Sequence, residues 1–300
     1  MTVRRHSRLE REAAEIASER RQLLNLAYRL LGSLADAEDV LQETSARWYA
    51  LSPRQRAAIE SPGAWLTKVA GRICLDVLGS ARVRRERYVG EWLPEPLPDR
   101  GADPADQVTL DESVTTAFLV VLERLTPAER VSFVLHDVFR YPFAEVADIV
   151  GRSPAACRQL ATSARRRIRA AQRDETPAAR RAEVVKDFQR AWEAKDVKAL
   201  VALLDPAAVM VADGGGQVST VLRPVVGGEQ IARYLVGIGK LAPELTILAR
   251  TVNNRPGLIA TYDGVTVTVA AFEVVDDRIT RIWAVRNPEK LTSWSARGRS

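Results

Sequence analysis

Along residues 14–88 the apolar positions recur at helical spacing. Leu23, Ala27, Leu30, Leu31 and Leu34 fall on one stripe, and Ser33 to Val40 brings an acidic segment suited to a helix start. The stretch SPGAWLTKVAGRICLDVLGSARVRRERY repeats the pattern more sharply. Trp65, Leu66, Val69, Ala70, Ile73, Cys74, Val77 and Leu78 make one apolar face and leave Lys68, Arg72 and Asp76 outside. Helical spacing resumes from Val108 to Arg173. Here Phe143, Val146, Ala147 and Val150 predict a short amphipathic helix, Gly151 a turn, and Ser153 an N-cap with Pro154 in the first turn of a second helix. Two helices joined by so short a glycine turn form a helix-turn-helix pattern. After RDETPAAR the period changes. Helices are predicted near Glu183–Ala194 and Val197–Leu204, followed by the strand-like runs LTILARTV, LIATY, VTVTVAAFEVV and RITRIWAV. The predicted architecture is therefore multidomain: two all-α regions, then an α+β domain.

The segment EWLPEPLPDRGADPADQ, residues 91–107, interrupts the helices with Pro94, Pro96, Pro98 and Pro104. Alternating prolines favour an extended strap at about 3.1 Å per residue, so this linker spans about 45 to 55 Å.

Composition sharpens the picture in three ways. A chain of 300 residues with 46% hydrophobic positions has material for two or three cores, and the net charge of +6 favours a polyanionic partner. The arginines are bunched, at Arg82, Arg84, Arg85 and Arg87 and again at Arg165, Arg166, Arg167 and Arg169. The two cysteines, Cys74 and Cys157, lie far apart in helical patterns and read as small buried residues, and the two histidines, His6 and His136, have no ligand cluster around them. Neither a metal nor a cofactor is expected. No apolar run approaches the roughly 18 residues of a membrane span, and the charged N-terminus lacks a signal core, so a cytoplasmic location is expected.

Candidate chemistry concentrates in three places. Arg158 and Gln159 sit near the start of the second helix of the helix-turn-helix, where bidentate bonds to guanine and adenine edges are made. The arginines that follow suit phosphates; an ordinary solvated helix face is the alternative. Trp65 with the Arg82–Arg87 cluster suits a melted single strand by stacking and phosphate neutralisation, while Trp65 also fits a core position beside Leu66 and Val69. In VADGGGQVS, Asp213 before Gly214, Gly215 and Gly216 admits a general base. Three glycines also suit a tight turn with positive φ that a second backbone approaches. No Gly-Lys-Ser/Thr follows, so it is not a phosphate loop, and the absence of histidine from this last third excludes a His-based acid/base pair.

YRLLGSLADAEDVLQETSARWY, then AWLTKVAGRICLDVLGSARVRRERY and the helix-turn-helix, resemble domains two and four of bacterial extracytoplasmic-function (ECF) sigma factors. YVGEWLPEPL, DGGGQ and NPEKL resemble the subgroup with a C-terminal SnoaL-like domain, a cone-shaped fold in which a curved sheet wraps helices around a cavity. The resemblance implies domain two at 14–90, a linker at 91–107, domain four at 108–173, a SnoaL-like regulatory domain at 178–292 and a tail at 293–300. It implies core RNA polymerase docking through Asp36, Glu38, Asp39, Val40, Gln42 and Glu43. Minus-ten recognition and melting would fall to Trp65, Lys68, Arg72, Arg82, Arg84, Arg85 and Arg87, and minus-thirty-five recognition to Ser153, Arg158, Gln159, Ser163, Arg165, Arg166 and Arg167. The recognition helix departs from the wider family in carrying Ala155 and Ala156 where larger polar residues are common.

The implied function is non-enzymatic: promoter specificity lent to polymerase, with the C-terminal domain acting in cis. Trp92, Leu93, Pro94, Glu95 and Pro96 of the strap, Asp213 to Gly216, and Asn287, Pro288, Glu289 and Lys290 are the expected regulatory contacts. Core polymerase and promoter DNA are the expected partners. An unidentified small ligand in the SnoaL-like cavity is a further candidate, and a DNA-binding regulator fused to a ligand-sensing or enzymatic domain is the alternative reading.

Overall fold

A computed structural model describes residues 19–85, 88–99, 114–171 and 176–294, with the backbone alone at 81–85. Two compact units emerge. Among the described residues one takes 19–83 and 121–170, and the other 84–85, 88–99, 114–120, 171 and 176–294.

The first unit is helical. Helix α1 (19–31) stops at Gly32, whose φ of +68° admits glycine readily. Ser33 then caps α2 (Leu34–Ala50) by accepting from the Asp36 amide at 3.2 Å. Leu34, expected on the stripe of the preceding helix, instead opens α2, because the Gly-Ser pair satisfies both helix ends and breaks the periodicity. Helices α3 (Pro53–Ala57) and α4 (Pro62–Arg85) follow. After α5 (Thr116–Leu122), within which the division between units falls, α6 (Pro127–Phe133) begins with a Thr126/Glu129 capping box and runs into a π-helical turn, Val134–Val138. Helices α7 (Phe143–Val150) and α8 (Pro154–Ala171) complete the unit. The core is apolar around Tyr28, Leu30, Val40 and Leu135, and Arg130 enters it with partners: its guanidinium donates to the Leu30 carbonyl at 2.8 Å and to Glu123 at 2.6 Å. Cys74 and Cys157 are free and buried, and burial pushes both thiols above their ordinary range.

The second unit is α+β: α9 (Ala178–Glu193), α10 (Val197–Leu203), β1 (Leu204–Asp213), β2 (Val225–Val226), α11 (Gly228–Leu241), then β3 (Thr246–Val252), β4 (Arg255–Tyr262), β5 (Val265–Val275) and β6 (Arg278–Val285). The sheet order is β2-β1-β6-β5-β4-β3, antiparallel except where β1 runs parallel to β6. Period-two alternation gives each strand two faces. Ala208 and Met210 of β1, with Ala270 and Phe272 of β5 and Ile282 of β6, pack with the helices. Val211 and the Trp283 and Val285 side chains face the other way, into a second apolar layer with Val252, Ile259 and Val269.

What covers that second layer is the strap. Leu93 belongs to its core, and Leu93, Pro94, Glu95, Pro96 and Leu97 are all buried. Pro98 bridges to Val252 at the edge strand. The stretch read as a linker thus lies with the sheet of this unit over its first eight residues; 100–113 fall outside the described residues.

Candidate functional site

The second unit holds the strap by a buried polar clasp. Asp213 ends β1 on the strap-facing side of the sheet, two residues beyond Val211, and is fully buried. Its Oδ1 accepts from the Tyr88 hydroxyl at 2.6 Å and the Gly215 amide at 3.0 Å; its Oδ2 accepts from the Leu93 amide at 2.9 Å and Lys290 Nζ at 2.7 Å. Four donors fill the roughly four lone-pair positions of a carboxylate, so no acceptor site remains for a substrate proton. Lys290 is equally committed. Its ammonium also donates to the Leu93 carbonyl and lies 4.1 Å from the Trp92 ring centroid, a cation–π distance. Burial, followed by the Asp213 carboxylate, pushes the Tyr88 phenol above its ordinary range, while the bond from Asn287 Nδ2 at 3.0 Å opposes the rise.

The glycines are steric requirements here. Gly215 and Gly216 have φ of +64° and +70°, and a Cβ on Gly215 would stand 2.5 Å from Asn287 Nδ2. The Asn287 side chain in turn caps the 3-10 turn Pro288–Lys290 by accepting from the Glu289 amide at 3.0 Å. A second anchor lies farther along the strap. Asn253 accepts from the Leu97 amide at 3.0 Å and donates to the Val114 carbonyl at 2.8 Å, and Trp294 Nε1 donates to the Pro96 carbonyl at 2.8 Å.

In the first unit, Gly151 at φ +70° turns the chain between α7 and α8, and the Ser153 hydroxyl caps α8 through the Ala156 amide at 3.2 Å. Arg158, Gln159, Thr162, Arg166 and Arg169 form the exposed stripe of α8. Arg158 lies over the Phe143 ring at 5.4 Å, which presets its direction. Three other members of the expected DNA set turn inward or sideways instead. The Ser163 hydroxyl donates to Glu129 at 2.8 Å, Arg165 pairs with Asp137 at 2.6 Å, and Arg167 bonds Glu129 at 3.3 Å while half-exposed.

Helix α4 meets α7 within the same unit. Lys68 pairs with Asp148 at 2.8 Å, holding that carboxyl below its ordinary range, and Arg72 donates to the Asp148 carbonyl at 2.8 Å. A Cβ on Gly71 would stand 2.8 Å from Ile149 Cγ2, so the glycine permits the approach. Trp65 is half-buried, with its ring 5.3 Å from that of Trp48.

Residues 16–87 match the family described as Sigma-70 region 2, and residues 115–168 that described as Sigma-70, region 4. The ECF RNA polymerase sigma factor SigJ of Mycobacterium tuberculosis is 39% identical, over 94% of this chain and 93% of its own length. The chain belongs to the ECF sigma factors. A probable ECF sigma factor of the same organism, SigI, is 34% identical over 91% of this chain and 92% of its own. The crystal structure of M. tuberculosis SigJ superposes with a TM-score of 0.76 at 36% identity, covering 94% of this chain and 98% of that one.

Within this ECF sigma factor, α2 presents Glu38, Asp39, Gln42 and Glu43 on one exposed face, with Glu43 bonded to Arg47 at 2.8 Å. Asp36 is half-buried at the first turn, and Val40 is in the core at 1% exposure, supporting the face from beneath. The side chains of Arg82, Arg84 and Arg85, and Arg87 altogether, lie outside the described residues. The strap and tail residues do come together: Trp92, Leu93, Asp213, Gly215, Asn287 and Lys290 share one cluster, and Glu289 accepts from Gln217 at 2.8 Å. Asn253 and Trp294 are members of the site that the motifs alone did not reveal, and Tyr88 opens the motif YVGEWLPEPL without itself signalling a contact. An Asn-Asn pair between two β-runs signals a tight hairpin, which Asn253 and Asn254 make at φ +48° and +62°, but not the strap it holds.

Among the described residues no group of His, Cys, Asp and Glu is placed to hold a metal ion, and no helix is long and apolar enough to cross a membrane.

Proposed function

We propose that this ECF sigma factor docks on core RNA polymerase through the exposed acidic face of α2 and reads a minus-thirty-five element with the Arg158, Gln159 and Arg166 stripe of α8. The second unit acts in cis as a non-catalytic restraint. The observation that carries this reading is the saturated Asp213 carboxylate: its four donors are Tyr88, Leu93 of the strap, Gly215 of its own turn and Lys290, so the residue clasps chain rather than performing chemistry.

Promoter geometry gives the restraint a physical meaning. Elements centred near minus ten and minus thirty-five lie about 25 base pairs apart, or about 85 Å at about 3.4 Å per pair. Helix α4, which would serve the first element, is joined by Lys68, Arg72 and Asp148 to α7, which carries the reading helix α8 through the Gly151 turn. They must separate for both elements to be read at once, and the connecting chain must then supply reach. A strap held at Leu93 and Leu97 supplies less reach than a free one. Release of the clasp is therefore the activating step.

Transcription with core polymerase and the full chain tests this. Promoter-specific run-off product is expected with the full chain and more of it with Lys290→Met. Strong operator binding without polymerase, and no initiation with it, would favour a plain DNA-binding regulator.

A further inference from the structure

The helix-packed face of the sheet leaves a cavity of about 310 Å³ that the clasp does not use. This falls at the lower end of the range of small-molecule sites, about 300 to 1,000 Å³. The sequence makes the space by placing small residues in register. Ala212 of β1 pairs with Ala284 of β6, and Ala284 pairs with Ala270 of β5, so three adjacent strands present methyl groups where branched residues would fill the interior. Phe188 and Trp192 of α9 form much of the opposite wall.

The lining contains no carboxylate and no histidine, so it has no acid/base pair for catalysis. It does contain a cation. Arg286 follows Ala284 by two residues and reaches the same cavity, donating to the Ser219 carbonyl, and among the described residues no carboxylate pairs with it. A partly exposed guanidinium lining an apolar cavity, without a counter-ion among the described residues, is a recognition element for an anion, because a charge-assisted bond there joins the apolar contact that the cavity offers. Thr220 adds a second polar point: its hydroxyl is buried and has no hydrogen-bond partner among the described residues. Tyr234 lines the same space; burial raises its phenol's pKa and the nearby Arg286 charge opposes the rise.

We propose that this cavity binds an amphipathic organic monoanion, with a two- or three-ring apolar body against the Ala212–Ala284–Ala270 row, an anionic group on Arg286 and an acceptor toward Thr220. Arg286 is the specificity-determining residue of the site. The proposal is independent of the sigma-factor reading, since binding is measured without polymerase or DNA.

The probes are 8-anilinonaphthalene-1-sulfonate and its uncharged relative N-phenyl-1-naphthylamine, which share the aromatic body and differ in the sulfonate. Both are titrated by fluorescence into the full chain. Each is expected to saturate at one site per chain. Arg286→Met should weaken the sulfonate probe by about ten- to a hundredfold, the range of a hydrogen bond to a charged group, and leave the neutral probe within about twofold. Ala284→Phe should abolish both while the circular dichroism and melting profile stay native. Should that variant fail to fold, Ala212→Leu on the neighbouring strand fills the same row. Absence of a saturable site, binding that survives filling of the row by a folded variant, or equal loss of both probes in Arg286→Met would each overturn the proposal.

Discussion

Asp213 and Lys290 meet at 2.7 Å where neither charge reaches solvent freely, the carboxylate being fully buried and the lysine side chain one-tenth exposed. Such a pair is costly to break from one side, because the remaining ion keeps its desolvation penalty without its partner. Lys290→Met should destabilise the second unit by about 3 to 5 kcal/mol, and Asp213→Asn in the same chain should recover part of that loss. Urea unfolding of both single variants and the double variant measures the coupling. Additive losses would mean that the two residues act separately.

Gly215 offers a test of the clasp without removing a charge. An alanine there must adopt φ +64° and would bring its Cβ against the Asn287 amide, which also holds Tyr88. Gly215→Ala is expected to lower the melting temperature and to make residues 88–98 accessible to protease, whereas Gly264→Ala, equally at positive φ but with open space around it, should strain only its own turn. Equal protection of the strap in both variants would contradict the steric account.

On α8, Arg158 and Arg166 are both exposed but differently placed. Arg158 is directed by Phe143 near the helix start, while Arg166 lies two turns on. Arg158→Ala should relax specificity, costing about 1 to 3 kcal/mol at one base pair, whereas Arg166→Ala should weaken binding to all promoters and flatten the salt slope by about one. Competition assays with the polymerase complex over a range of salt distinguish the two. Sequence-independent losses from both would assign each arginine to phosphate.

Glu129 ties α6 to α8 and gives the first unit an acid limit. Burial alone would raise its pKa, but the Thr126 amide, the Ser163 and Thr126 hydroxyls and the Arg167 guanidinium together bring it below the ordinary 4.5. A carboxyl held lower in the folded state contributes stability that is complete above its ordinary value and is lost as pH falls from about 4.5 through the folded value. Glu129→Gln should therefore be less stable than the parent at neutral pH, with the gap closing as pH falls below about 4.5. Thermal melts across that range read the effect, and a constant gap would remove the carboxylate from the account.

The helix-turn-helix was legible in the sequence because its signals are local. Gly151, Ser153 and Pro154 stand next to the apolar residues whose helices they end and begin. Strand β1 and helix α11 were not legible: Pro206 and the alanines blur β1, and Gly228, Gly237 and Gly239 dilute α11. The pieces of the clasp were visible as motifs, yet Tyr88 and Asp213 are 125 residues apart and no periodicity links them. The same limit governs the arginines of α8. Arg165 and Arg166 are neighbours of one type, and only Asp137, on a different element, separates the paired one from the exposed one.

The central claim is that the clasped strap restrains a promoter-specificity subunit. Multi-round run-off transcription with core polymerase, comparing the full chain with Asp213→Asn at saturating concentrations, tests it most directly. The account predicts promoter-specific product from both proteins and a several-fold higher yield from Asp213→Asn at equal polymerase affinity. Equal or lower yield from a folded Asp213→Asn protein that binds polymerase normally would contradict it.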